Sequence, residues 1–219
     1  MNTKYYISLG FQCTVPTVFT EMEIKHATLP FDWMLSSPEF VYDMLTLLLV
    51  TNMDTNTLVR EHFFKCDHHA VLVHNNNNAL VEHFKEKGSG LLYNKARKVI
   101  FPHDTNDEDT ITKYIKRFDR LKQLILDIGN DITFVYISPS STDSGNFTID
   151  GHEIIQTPAR FINNIHELIS NIRTDFKMIV LSATDSSDVV CEQRSITPTK
   201  SWLKMVPECK TKLGLYLDN

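Results

Sequence analysis

The stretch Tyr5-Tyr6-Ile7-Ser8-Leu9-Gly10-Phe11-Gln12-Cys13-Thr14-Val15-Pro16 sets the architecture. Its first half reads as a short apolar strand over residues 4–9, closed by Gly10. A helix through about Met22 is predicted to follow at once, capped by Cys13 or Thr14, with Pro16 tolerated in its first turn. The same alternation recurs downstream. Buried strands are predicted at 132–137 and 178–181, where apolar residues run without a polar break. Amphipathic helices are predicted at 107–127 and 158–172. Strands separated by helices, with apolar runs that need cover on both faces, indicate one α/β domain over residues 1–219. Its expected form is a three-layer sandwich with a mainly parallel central sheet and helices on both faces.

Between these elements the signals are more varied. Ser36-Ser37-Pro38-Glu39 reads as a capping box, and Phe40, Met44, Leu47 and Leu48 follow at helical spacing, which predicts a core helix. Residues 58–64 fit either a short helix or a strand. A strand at 70–74, a four-asparagine turn at 75–78 and a helix at 79–87 are predicted next. The strand at 98–101 delivers His103 and Asp104 to a polar loop. The alternation at 213–217 predicts a closing strand.

Parallel sheets of this kind bind ligands beyond the carboxyl ends of their strands. Cys13, the polar run 138–141 and the segment 182–185 each follow an apolar strand, so topology gathers them at one edge. A thiol at the start of a helix also lies near unpaired backbone N–H groups and the positive end of the helix dipole. Both favour its thiolate.

Composition narrows the function classes. A net charge of −5 gives no basic surface of the kind a nucleic-acid binder uses, so nucleic acid is not an expected partner. The longest apolar run, residues 44–50, is too short to span a bilayer, and no signal-peptide pattern opens the chain. The expectation is a cytoplasmic protein with no membrane partner. Four scattered cysteines (Cys13, Cys66, Cys191, Cys209) contain no C-x-x-C pair, which fits neither a disulfide framework nor a zinc ribbon. No glycine-rich phosphate cradle occurs, and no cofactor is expected.

Ile7-Ser8-Leu9-Gly10-Phe11-Gln12-Cys13 followed by Leu29-Pro30-Phe31-Asp32-Trp33-Met34-Leu35-Ser36-Ser37-Pro38-Glu39 resembles the opening of a family of uncharacterised domains described as papain-like cysteine peptidases. The shared motifs are an S-L-G-x-x-C turn, a P-F-D-W segment, an aromatic-x-His-Asp element at Phe101-Pro102-His103-Asp104, and a basic helix carrying Arg117 and Arg120. The likeness covers about the first two thirds of the chain. It implies a thiol protease or related hydrolase acting on a peptide, ester or glycan-linked substrate.

The residues allow that chemistry to be written out. Cys13 as nucleophile needs a base to take its proton, and a third group to orient the base. His103 is the candidate base because it follows a strand and precedes Asp104. The third group is Asp104 or Asp32. The competing reading of Cys13 is a small apolar residue filling the strand–helix corner. Asp32, flanked by Phe31 and Trp33, needs hydrogen-bond partners, and either orients His103 or substrate or simply pins its loop. Trp33, Arg117 and Arg120 are the candidate substrate-binding residues. On the 107–127 helix the stripe of Lys113, Lys116, Arg117, Arg120 and Lys122 is otherwise a solvated face.

The histidine-rich stretch His62, Cys66, His68, His69, His74 and His83 matches no metal-ligand spacing, so no metal is expected there. The functional expectation is therefore a thiol-dependent hydrolase or acyl transferase built on Cys13 and His103. The alternative is a non-enzymatic α/β module that binds a glycan, nucleotide or protein partner at the same sheet edge. Distance separates the two, since a catalytic pair must lie within hydrogen-bond reach.

Overall fold

A computed structural model describes residues 3–10, 13–34, 36–64, 68–70, 91–94, 99–101, 103–104, 107–138, 147–149, 152–154, 158–182, 192–195 and 202–217. Helices and strands are mixed, and a four-stranded parallel sheet lies at the centre. Its order is β1 (Lys4–Ser8), β5 (Asp131–Ser138), β8 (Phe176–Ser182) and β9 (Glu192–Ser195). The register sets Ser8 opposite Val135, Ser138 opposite Ser182, and Ser182 opposite Ser195. All four strands therefore end at one edge of the sheet, and Cys13 lies just beyond the end of β1.

The unbroken apolar character of β5 has a direct cause. Ile132, Phe134 and Tyr136 join one buried cluster, while Val135 and Ile137 join another. In β8, Met178 and Val180 divide from Ile179 and Leu181 in the same way. Side chains alternate across a strand, so each strand is apolar on both faces. The first cluster holds residues of α2 (Pro38–Leu45), α4 (Glu108–Leu126) and α5 (Pro158–Ser170). The second holds Val15, Val18 and Phe19 of α1 (Thr14–Glu21) with Met205, Val206, Cys209 and Leu213 of α6 (Trp202–Leu217).

Two smaller antiparallel sheets complete the strands among the described residues. One is β2 (His68–Ala70), β3 (Leu91–Asn94) and β4 (Val99–Phe101); the other pairs β6 (Phe147–Ile149) with β7 (His152–Ile154). The β4 strand matters for function because an aromatic cluster ties its end to α4. Phe63 packs against Phe101 at 5.1 Å, Tyr114 at 4.9 Å and Phe118 at 4.9 Å. Phe64 stacks on Phe101 at 4.6 Å. Phe31, beneath the Asp32-Trp33 loop, meets the edge of Phe118 at 5.9 Å. One set of rings thus anchors both the loop bearing Trp33 and the strand leading to His103.

Several local expectations need correction. Residues 213–217 belong to helix α6, not to a strand: Met205, Cys209 and Leu213 recur every fourth residue on its buried side, and that period outweighs the short alternation in Leu213-Gly214-Leu215-Tyr216-Leu217. The cap of α2 is Ser37, whose Oγ accepts from Phe40 N–H at 3.2 Å, so Ser36 does not close a capping box with Glu39. Segment 58–64 is helical: the short α3 (Thr55–Thr57) runs into π-helical winding over Leu58–Phe63, and α2 continues into a similar turn at Thr46–Val50. The expected turn at 75–78 and helix at 79–87 lie outside the described residues, as does most of the expected strand 70–74.

Candidate active site

The turn after β1 is fixed by Ser8 and Gly10. Ser8 is fully buried, and its Oγ accepts from Gly10 N–H at 3.2 Å. Gly10 has φ +88°, a left-handed conformation that other residues enter only with strain. A Cβ there would also overlap the buried Ser36 Oγ. The S-L-G sequence thereby ends β1, and α1 begins four residues after Gly10.

Cys13 is the N-cap of α1, with φ −76° and ψ 1°, but its side chain makes no capping hydrogen bond. The sulfur points elsewhere: Cys13 Sγ lies 3.5 Å from His103 Nε2, a contact between residues ninety positions apart. Cys13 is half-buried and His103 exposed, so the pair is open to solvent on the imidazole side. Burial pushes the Cys13 thiol up to about 11, while the charge of Lys25 opposes the rise. The thiolate expected from the helix start is thus outweighed by desolvation. His103 Nε2 stands alongside the sulfur, within reach of its proton.

A match to a family description covers residues 4–186, and that description reads putative papain-like cysteine peptidase. The chain belongs to this family. No curated protein and no solved structure matches it. The match spans every motif named above, from the turn bearing Cys13 through the P-F-D-W segment and His103 to the strand β8.

Within this family member the two candidate carboxylates are engaged by neighbours. Asp104 Oδ1 meets Lys113 Nζ at 2.5 Å, and its Oδ2 accepts from Tyr114 Oη at 2.6 Å. Burial, reinforced by Asp104, pushes the Tyr114 hydroxyl well up, so it remains a donor. These bonds fasten the His103 loop to α4. Asp32 Oδ2 accepts from Leu29 N–H at 2.9 Å and pairs with Lys25 Nζ at 3.1 Å. Burial pushes the Asp32 carboxyl up, opposed by Lys25, the Leu29 N–H and Arg117.

Trp33 joins the site directly. Its indole meets the His103 ring edge-on at 6.3 Å, and Lys25 Nζ lies 4.6 Å from the indole centroid on its other contact. Arg117 packs over the Tyr114 ring at 4.6 Å, and Arg120 Nη1 donates to the Thr28 carbonyl at 3.0 Å, holding the 25–34 loop against α4. Lys122 is likewise engaged, donating to Asn52. The structure therefore gathers Cys13, His103 and Trp33. Asp32, Asp104, Arg117 and Arg120 stand in the frame around them.

Lys25 and Tyr114 escaped the sequence reading, and Lys113, read there as part of a solvated face, instead pairs with Asp104. A signal existed for Lys25: a buried carboxylate at Asp32 implies a cation, and Lys25 is the nearest upstream lysine. Nothing local identifies Lys113 and Tyr114 as partners of Asp104. Of the histidine-rich stretch, His68 and His69 lie in β2, whereas Cys66, His74 and His83 fall outside the described residues. Among the described residues no group of three or more His, Cys, Asp or Glu is placed to hold a metal. No helix among them is long and apolar enough to cross a membrane.

Proposed function

We propose that this chain is a thiol-dependent hydrolase of peptide or related acyl bonds, a peptidase or acyl transferase, with Cys13 as nucleophile and His103 as general base and acid. The observation that carries this reading is the 3.5 Å approach of Cys13 Sγ to His103 Nε2. In the reaction Sγ attacks the carbonyl carbon while its proton passes to Nε2. The resulting oxyanion is held by backbone N–H groups at the start of α1, which have no partners within the helix. Collapse breaks the bond to the leaving amine or alcohol, which takes the proton from the imidazolium, and a thioester remains on Cys13. Water, activated by the same imidazole, or a second nucleophile then releases the acyl group.

Because burial holds the thiol up at about 11, attack is coupled to proton transfer and does not start from a preformed ion pair. Trp33 orients the imidazole through its edge contact, and Asp104 does so indirectly by fastening the loop to α4. The two-sided burial of β5 and β8 supports a three-layer sandwich with the site at the carboxyl edge of its sheet. Cys13 and Cys209 are both free thiols, which suits a reducing, cytoplasmic setting.

The test is turnover of a peptide and ester library by the wild-type protein, Cys13→Ala and His103→Ala. Cys13→Ala is expected to lose at least about a thousandfold in rate, with a thioester trapped on Cys13 by mass spectrometry in the parent. Undiminished turnover in Cys13→Ala overturns the reading. The second reading, a binding module for a glycan, nucleotide or protein with Cys13 packed, is favoured by the upward displacement of that thiol alone. It requires binding of a ligand that is unaffected by Cys13→Ala.

A further inference from the structure

The contacts around Cys13 and His103 form a continuous series. Asp32 holds Lys25 at 3.1 Å, Lys25 sits against the Trp33 indole at 4.6 Å, Trp33 meets the His103 ring at 6.3 Å, and His103 reaches Cys13 at 3.5 Å. A half-buried ammonium against an indole face is a stiff arrangement, since both the carboxylate and the ring fix its position. The Lys25 side chain is 14% exposed and that of Asp32 3%, so solvent screens this charge weakly. We propose that Lys25 is a positioning residue of the site: held by Asp32, its ammonium braces Trp33 against His103 and presents positive charge to Cys13, favouring the thiolate formed during attack. This inference rests on the reading of Cys13 and His103 as a working pair.

The charged groups facing the pair can be named. From the 25–34 loop come Lys25 and Asp32. From the His103 loop comes Asp104, neutralised by Lys113 and bonded to Tyr114. From α4 comes Arg117, which acts on Asp32 and Tyr114. Of these, Lys25 is the charge that acts on the Cys13 sulfur and opposes the effect of its burial. Asp32 is the counter-charge that partly offsets Lys25. Removing one or the other therefore moves Cys13 in opposite directions, whereas loosening of the loop moves it in a single direction.

The experiment is the rate of Cys13 alkylation by iodoacetamide from pH 6 to 10, localised by peptide mass spectrometry, with thermal melting as a separate check on folding. Lys25→Met is expected to slow alkylation at pH 7 by at least about threefold, and Lys25→Arg to stay within about twofold of the parent. Asp32→Asn, whose amide oxygen keeps an acceptor for both the Leu29 N–H and the Lys25 ammonium while removing the counter-charge, is expected to speed it. Unchanged alkylation in Lys25→Met, or a shift of the same sign in Lys25→Met and Asp32→Asn, overturns the proposal. If Lys25→Met does not fold, Asp32→Asn decides: acceleration supports the proposal and no change overturns it. His103→Ala keeps the two failures apart. Slowing in His103→Ala with none in Lys25→Met removes the role of Lys25 and leaves the pair standing. The reverse result keeps the action of Lys25 on Cys13 and removes the pair.

Discussion

Gly10→Ala tests the geometry that places Cys13. At φ +88° a side chain costs about 1–2 kcal/mol in backbone strain. The added Cβ would also overlap Ser36 Oγ, and the neighbourhood offers little room, since Val41 Cγ2 lies 3.5 Å and Ser36 Cβ 3.7 Å from the same point. Ser36 is 2% exposed, so its displacement adds about 1–3 kcal/mol of overpacking. The single change is expected to cost about 2–5 kcal/mol. Ser36 Oγ has no hydrogen-bond partner, so Ser36→Ala by itself should be neutral or stabilise by about 1 kcal/mol. In the double variant the overlap vanishes and only the backbone strain remains. The expected coupling is therefore about 1–3 kcal/mol, read from urea midpoints at unchanged slope. Costs that add to within about 0.5 kcal/mol would refute the reasoning, because they would mean that Ser36 does not crowd Gly10.

Other outcomes follow from single features. Arg173→Met should destabilise the protein by about 3–5 kcal/mol in urea unfolding, because its buried guanidinium donates to the carbonyls of Leu124, Ile125, Asp127 and Asn130 and so caps the end of α4. Tyr136→Phe should be neutral or stabilise by about 1 kcal/mol, since the Tyr136 hydroxyl is fully buried without a partner. Burial pushes Cys13 up to about 11 and Cys209 up to about 12. An acid raised in the folded state contributes stability that is whole below its unfolded value, about 8.5, and is lost as pH rises toward the folded one. Stability should therefore fall between pH 8.5 and 11. At pH 10 the loss in Cys13→Ala should be smaller than in the parent by up to about 2 kcal/mol, measured as the change in urea midpoint from pH 7.5.

The central strands and main helices were legible in the sequence because their causes are local. In β5 and β8 the continuous apolar runs can be satisfied only by burial on two faces. For α4, Asp107 accepts from Thr110 N–H at 2.7 Å, an N-cap visible in the acidic residues that precede the helix. Where two local signals compete, the tertiary structure decides. Residues 213–217 alternate like a strand, yet Met205, Cys209 and Leu213 gain more by packing as a helix against α1 and the sheet. Ser36 and Ser37 are equally good caps on paper. Only the proximity of Gly10 and Val41 fixes Ser36 in the interior and leaves Ser37 to cap.

The site divides along the same line. Residue types and strand ends identified Cys13 and His103 as candidates, and the S-L-G turn explains why a thiol stands at the start of α1. That the two side chains meet is decided by the aromatic cluster of Phe63, Phe101, Tyr114 and Phe118, which draws β4 onto α4. The partners of Asp32 and Asp104 lie closer in sequence. A buried carboxylate demands a donor, which sequence alone can foresee. Which donor answers is settled by the local packing of each loop: Leu29 and Lys25 for Asp32, and Lys113 and Tyr114 on α4 for Asp104.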